Sequence, residues 1–217
     1  MAKIVVIGAG FAGHTAALYL GDKLGKKHTV TMISRHDSFA YIPSWIWVGV
    51  GHMAPEKTTF ELAPVYKRMN VYFIHGTATK VHPDEGEQFV EVNKANGDIA
   101  RVEYDYLIVA TGPKLNFAGT PGLGPDEGHT YSVCSLPHVI QTRDKYLALI
   151  ERMKKGEKFK MVFGTGHPSA TCQGAAFEFI VNVHKDLLKK GIRDQAELMW
   201  LSNEPALGDF GVHGVQA

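Results

Sequence analysis

Cysteine is nearly absent: Cys134 and Cys172 are the only two among 217 residues. So small a number excludes a disulfide framework, and their separation matches no zinc-ligand spacing. The eleven histidines contain no His-x-His or HExxH cluster, so no metal site is expected. Long apolar runs are missing as well. None approaches the roughly 18 residues that a membrane-spanning helix needs. Charge of one sign is not in excess; the net charge is +1, which gives no electrostatic footprint for nucleic acid. The chain enters an apolar strand at Lys3, which leaves no room for a signal peptide.

What is present is a repeated strand–turn–helix pattern. The apolar run 4–7 suits a strand buried on both faces. Gly8, Gly10 and Gly13 follow it, then a helix with Ala16, Ala17, Leu20 and Leu24 near one face, which Gly25 can end. A second apolar strand spans 29–33. Residues 36–70 are aromatic-rich and read as irregular. Strands are expected at 71–74, 89–92 and 99–102, the last two joined by Asn96-Gly97, a strong hairpin signal. Another buried strand runs over 106–110. The Gly- and Pro-rich stretch 114–131 reads as a linker, and a helix is expected over 137–154. A second unit then begins, with a buried strand at 159–164, a helix at 173–190 and a strand at 197–202. The tail GDFGVHGVQA holds no closing strand. The expected fold class is therefore α/β, with two Rossmann-like dinucleotide-binding units, the second incomplete. Domains are expected at 1–113, 114–156 (linker and helix) and 157–217. The chain reads as the front portion of a longer protein, or as one that another chain completes.

The motifs carry chemistry. In Gly8-x-Gly10-x-x-Gly13, the first glycine permits a tight turn and the second lets a pyrophosphate approach the backbone. The third packs helix on strand. Phe11 and Ala12 complete the turn, and the helix N-terminus stabilises phosphate charge. The acidic residue usual at the end of the second strand is missing; Ser34 and Arg35 stand there, suited to a ribose hydroxyl, an adenine or a phosphate. The later strand closing in Ala110-Thr111-Gly112, paired with the opening motif, is the pattern of flavoproteins with two dinucleotide domains and points to FAD. Cys172 stands where the second glycine-rich turn meets its helix, in GTGHPSATCQG, a turn without the third glycine of a nicotinamide loop. A thiol at a helix N-terminus meets the positive end of the dipole, which favours the reactive thiolate; the alternative is a small buried hydrophobe. Cys134 reads either as a second reactive thiol or as a packed loop residue. Glu178, in the apolar stretch AAFEFIV, is a carboxyl for proton handling or a solvent-facing charge. His138 follows Cys134 by four, which on one helix brings them together; otherwise it is a helix-start histidine in water. Phe39, Tyr41, Trp45 and Trp47, with Pro43, make either an apolar wall for a ring or ordinary core.

The segments VVIGAGFAG, YIPSWIWVGVG, YDYLIVATGPKL, SVCSLPH, ATCQGAAFEF and SNEPALGDFGVHGV are spread over the whole chain. Together they resemble the sulfide:quinone oxidoreductases of the flavoprotein disulfide reductase superfamily. The resemblance implies oxidation of sulfide at a pair of redox cysteines, with electrons passing through FAD to a membrane quinone. It implies that Cys172 is the first redox cysteine, Cys134 an accessory thiol, and Glu178 and His138 proton-handling groups. It also implies FAD contacts at Gly8, Gly10, Gly13, Ser34, Pro43, Ala78, Thr111 and Gly112. Members of the family are longer. Their later part carries the second redox cysteine and the helices that dock on a membrane, so this chain is expected to be an N-terminal half, inactive alone. A peripheral membrane location in the complete protein, and a homo-oligomer or a complementing chain, follow as expectations. The alternatives are a flavoprotein like that of flavocytochrome c sulfide dehydrogenase, an enzyme like the type II NADH dehydrogenases, or an inactive FAD-binding fragment.

Overall fold

The structure, a computed structural model, describes residues 1–24, 27–84, 86–170 and 172–204. Gly25, the expected helix end, and the glycine-rich tail lie outside the described residues. Two compact units are present: Met1–Ala40 with Thr59–Lys114, and Tyr41–Thr58 with Leu115–Ala217. The stretch 41–58 thus clusters with the second unit, not with the first domain in which the sequence reading set it. The expected linker joins the second unit too.

The first unit is built on a six-stranded sheet. Its strands are β1 (Lys3–Ile7), β2 (Thr29–Ser34), β5 (Val71–His82), β6 (Phe89–Lys94), β7 (Ile99–Glu103) and β8 (Tyr106–Val109). Two short strands, β3 (Ser38–Ala40) and β4 (Thr59–Glu61), pair separately. The order across the large sheet is β7-β6-β5-β2-β1-β8, with β5, β2, β1 and β8 parallel and β5, β6 and β7 antiparallel. β5 serves both halves. Val71–His75 pair with β2, and from Gly76 onward the strand pairs with β6. A Cβ at Gly76 would lie 2.7 Å from the Asn93 carbonyl oxygen, so only glycine fits at this changeover. The expected strand 71–74 is the parallel part alone.

Helix α1 (Phe11–Leu24) buries Gly13, Ala17 and Gly21 against the sheet. The expected stripe of Ala16, Leu20 and Leu24 is only partly buried. Close approach explains the difference: a Cβ at Gly21 would come within 2.3 Å of the Met69 carbonyl oxygen. Small residues every fourth position let the backbones meet where leucines would hold them apart. Helix α3 (Leu62–Arg68) closes the same core through Leu62 and Tyr66, both fully buried. Phe39 and Phe60 stack across β3 and β4 at 5.0 Å.

The second unit holds α2 (Trp45–Gly49), α4 (Leu136–Met153), β9 (Phe159–Gly164), α5 (Gln173–Lys189) and β10 (Ala196–Leu201). Its core gathers Ile46 and Val50 with Tyr146, Ile150, Phe179, Val183 and Leu187. The region 36–70 is therefore not irregular in either unit. Its aromatic and aliphatic side chains fold into short elements because burial outweighs poor propensity. β8 and β9 are not the buried strands expected from their composition. β8 is a sheet edge, with Tyr106 and Val109 more than half exposed. β9 alternates: Met161 is buried with Phe159 and Phe163 packed on the core, while Val162 faces outward. Among the described residues no helix is long and apolar enough to cross a membrane.

Candidate functional site

In the first unit the predicted binding residues gather at the carboxyl ends of β8, β1 and β2. The chain leaves β1 toward β2 on one side and returns to β8 on the other, so a topological switch point opens beside β1. Ligands of open α/β sheets bind outside the carboxyl ends at such a point. The Gly8 amide donates to the Ile33 carbonyl at 2.9 Å, and the Ala110 amide to the Ile7 carbonyl at 2.8 Å, tying the three strand ends together.

Each glycine of the turn has its own reason. Gly8 has φ +99°, and a Cβ there would lie 2.3 Å from the Ala110 carbonyl oxygen. At Gly13 a Cβ would meet the Gly8 carbonyl oxygen at 1.9 Å. Gly10 differs: a Cβ would meet nothing within 4 Å. Internal packing does not require a glycine at that position, which leaves open backbone beside the first turn of α1, made by Phe11, Ala12 and Gly13. No acidic side chain occupies that first turn, so the positive end of the helix is not neutralised from within. A pyrophosphate fits this geometry. Thr111 and Gly112 continue from β8, with Gly112 at φ +74° and open space around it.

Ser34 ends β2 buried, its Oγ accepting from the His36 amide at 3.2 Å. Arg35 Nε donates to His36 Nε2 at 3.0 Å, which makes that ring neutral, with its proton on Nδ1. Burial, then the charge of Arg35, hold His36 below its ordinary pKa. His75 Nε2 donates to the Arg35 carbonyl at 3.2 Å. The structure thus sets Arg35 and two histidines at the end of β2 and beside it on β5, where the parallel pairing stops and where sequence reasoning found only Ser34 and Arg35. Ala78 lies further on, where β5 runs past its parallel neighbour; it is partly buried beside the bulge between Ala78 and Lys80.

In the second unit Cys172 is the N-cap residue of α5, with an exposed free thiol and no capping bond from its side chain. The turn before it is held by Asn203, which sequence reasoning missed. Asn203 Oδ1 accepts from Thr165 Oγ1 and Gln173 Nε2, both at 3.0 Å. Its Nδ2 donates to the Pro168 and Ala170 carbonyls at 2.6 and 3.3 Å. Every hydrogen-bonding position of the amide is used, and all four partners lie in the turn or beside Cys172.

Cys134 is also free and exposed. It precedes Ser135, the N-cap of α4, and so is not on that helix. The four-residue spacing to His138 therefore does not stack the two on one helix turn. His138 Nε2 lies 3.4 Å from Asp126 Oδ2, while its buried Nδ1 has no hydrogen-bond partner among the described residues. Glu178 is exposed on α5, so its carboxyl faces solvent and not the apolar stretch around it in sequence. Pro43 is exposed in a short 3-10 turn, Ile42–Ser44, beside Trp45, which is buried, and Trp47, which is not.

The sequence profile of the pyridine nucleotide-disulphide oxidoreductases matches residues 2–166. The chain belongs to that family. Among individual members, it is 33% identical over all 217 residues to the sulfide-quinone reductase of Aquifex aeolicus, covering 47% of that protein. It is 25% identical over 206 residues to the mitochondrial sulfide:quinone oxidoreductase of Dictyostelium discoideum, covering 41% of it. The crystal structure of the Aquifex aeolicus sulfide:quinone oxidoreductase superposes with a TM-score of 0.81 at 31% identity, over 99% of this chain and 46% of that one. The chain thus spans about half the length of the curated relatives it matches. The fold is that of a Rossmann-like dinucleotide-binding protein.

Proposed function

We propose that this chain is the FAD-binding and sulfide-oxidising part of a sulfide:quinone oxidoreductase. The observation that carries this reading is the similarity over the whole chain to the sulfide-quinone reductase of Aquifex aeolicus. Gly10, Phe11, Ala12 and Gly13 would hold the pyrophosphate through open backbone and the end of α1, and Gly8, its own amide bonded to Ile33, would make the tight turn that brings them to it. Ser34 and Arg35 would receive the adenosine end. Ala110, Thr111 and Gly112 would line the crevice at the switch point, with Ala78 and Pro43 as further contacts. Bound FAD supplies a two-electron acceptor and a route to a quinone.

Cys172 is assigned the reactive sulfur. In the complete protein hydrosulfide would attack a disulfide between Cys172 and the second redox cysteine that the sulfide:quinone oxidoreductases carry in their later part; the S–S bond breaks, a persulfide forms on the attacked sulfur and the other sulfur leaves as thiolate. Cys134 is the accessory thiol and the only other cysteine of this sequence. His138, whose Nδ1 has no hydrogen-bond partner among the described residues, is assigned a proton. Glu178 is assigned the same task from the solvent side. Sulfide and a quinone are the substrates in this reading, and a peripheral membrane location follows from the quinone.

Anaerobic sulfide addition to the complete FAD-loaded protein, of which this chain is the proposed N-terminal half, tests it. Loss of the visible flavin absorption is expected in the parent and not in C172A. Equal bleaching in both would contradict the assignment of Cys172. Rapid reduction by NADH instead would point to a nicotinamide-using member of the family.

A further inference from the structure

Asp186 is a carboxylate with no exposed side-chain surface, set in the apolar face of α5 between Val183 and Leu187. A charge so buried is costly unless its oxygens are bonded. Here three elements of the second unit bond it. His52, from the stretch 41–58, donates through Nε2 to Oδ1 at 2.7 Å. Tyr146, from α4, donates its hydroxyl to Oδ2 at 2.7 Å. Lys190, just past α5, pairs with Oδ1. Burial alone would raise this carboxyl, but the bonds from Lys190, Tyr146 and His52 outweigh it and hold the group below its ordinary value. Burial and the same carboxylate push the Tyr146 hydroxyl up, so it stays a donor.

We propose that His52, Asp186 and Tyr146 form a positioning clamp that fixes the 41–58 segment, and with it Pro43 and Trp47, onto α4 and α5. The segment also packs through Trp45, Ile46, Val48 and Val50, all buried, but apolar contact is non-directional and does not by itself set a register. α2 is only five residues long. It lies so close to α5 that a Cβ at Gly49 would sit 2.8 Å from Phe179 Cε2. So short a helix has no stability of its own. Ile46 and Val50 give it apolar contact, and His52 gives it the directional bond that sets its register. None of these three residues belongs to the predicted site. The clamp stands on geometry within one unit. Its consequence for the cofactor rests on the proposed function, through the assignment of Pro43.

Hydrogen exchange on the full chain reads the clamp directly. The Val50 and Gly51 amides donate to the Ile46 and Val48 carbonyls, and exchange requires local opening. Loss of a charge-assisted bond in H52N should speed their exchange about tenfold, while interior amides of α4 and α5 stay unchanged. H52Q, which carries an N–H at comparable reach, should restore slow exchange. Y146F should speed it as H52N does. Unchanged exchange in both H52N and Y146F would overturn the clamp. So would equal acceleration in H52N and H52Q, or loss of protection throughout the unit. With FAD bound, the flavin absorption band should shift in H52N and return in H52Q. An unshifted band with accelerated exchange would leave the clamp and remove its link to the cofactor. A parent that binds no FAD would fail the functional reading while the exchange result stands.

Discussion

Single side chains in the first unit make its stability depend on acidity. His14, on α1, has Nδ1 2.9 Å from the hydroxyl of the fully buried Tyr66. Burial raises the Tyr66 hydroxyl far above its ordinary range, so it remains protonated, and it shares a hydrogen bond with the His14 ring. Burial also lowers the His14 pKa, as burial and Arg35 lower that of His36. A depressed folded pKa means that the unfolded chain takes up protons first. The stabilisation is therefore complete above the ordinary value of 6.5 and is lost as pH falls below it through the folded values. Denaturant melts between neutral pH and about pH 5 should show a steady fall in stability. H14N keeps an acceptor near the Tyr66 hydroxyl and removes one titration, so its slope should be shallower. A parent curve flat over this range would contradict the neutral state of both rings.

Elements follow local signals where those signals are strong. α4 is an example. Ser135 takes an extended N-cap conformation, its hydroxyl accepts from the His138 amide at 3.4 Å, and Pro137 stands at the start of the helix. Ser135→Ala should cost about 1 kcal/mol, measured as a lower midpoint in chemical denaturation; a change within about 0.3 kcal/mol would show that the long bond contributes nothing. The hairpin of β6 and β7 was legible for the same reason, since Gly97 at φ +93° supplies the backbone that the turn needs. The first strand, the glycine turn, α1 and α5 were legible from periodicity and caps. Three features were not. α2 and α3 carry no propensity signal strong enough to reveal them; their existence depends on burial of Ile46, Leu62 and Tyr66, which only tertiary contact provides. The exposure of β8 depends on its place at the sheet edge, and composition does not encode order within a sheet. The close packing of α1 through Gly13, Ala17 and Gly21 looks in sequence like a weak amphipathic helix.

At the scale of the whole molecule, the binding motif was legible and the network behind it was not. Gly8, Gly10 and Gly13 declare themselves by spacing. His52 and Asp186 lie 134 positions apart in the chain, and Asn203 lies 30 beyond Gln173, so neither partnership has a local signature. The spacing of Asp186 and Lys190 was the one available hint, an i,i+4 pair of opposite charge on one expected helix. Two units, each with its own core, divide the work as proposed: one offers a nucleotide crevice at a switch point, and the other presents Cys172 on a turn pinned by Asn203. The proposal depends first on a flavin nucleotide resting on the turn between β1 and α1. FAD titration of the parent and of Gly10→Val tests that most directly, because a Cβ at this position meets no atom within 4 Å. The account predicts that the variant keeps the parent's stability to within about 0.5 kcal/mol and binds FAD at least about tenfold more weakly. Undiminished FAD binding by a folded Gly10→Val chain would contradict it.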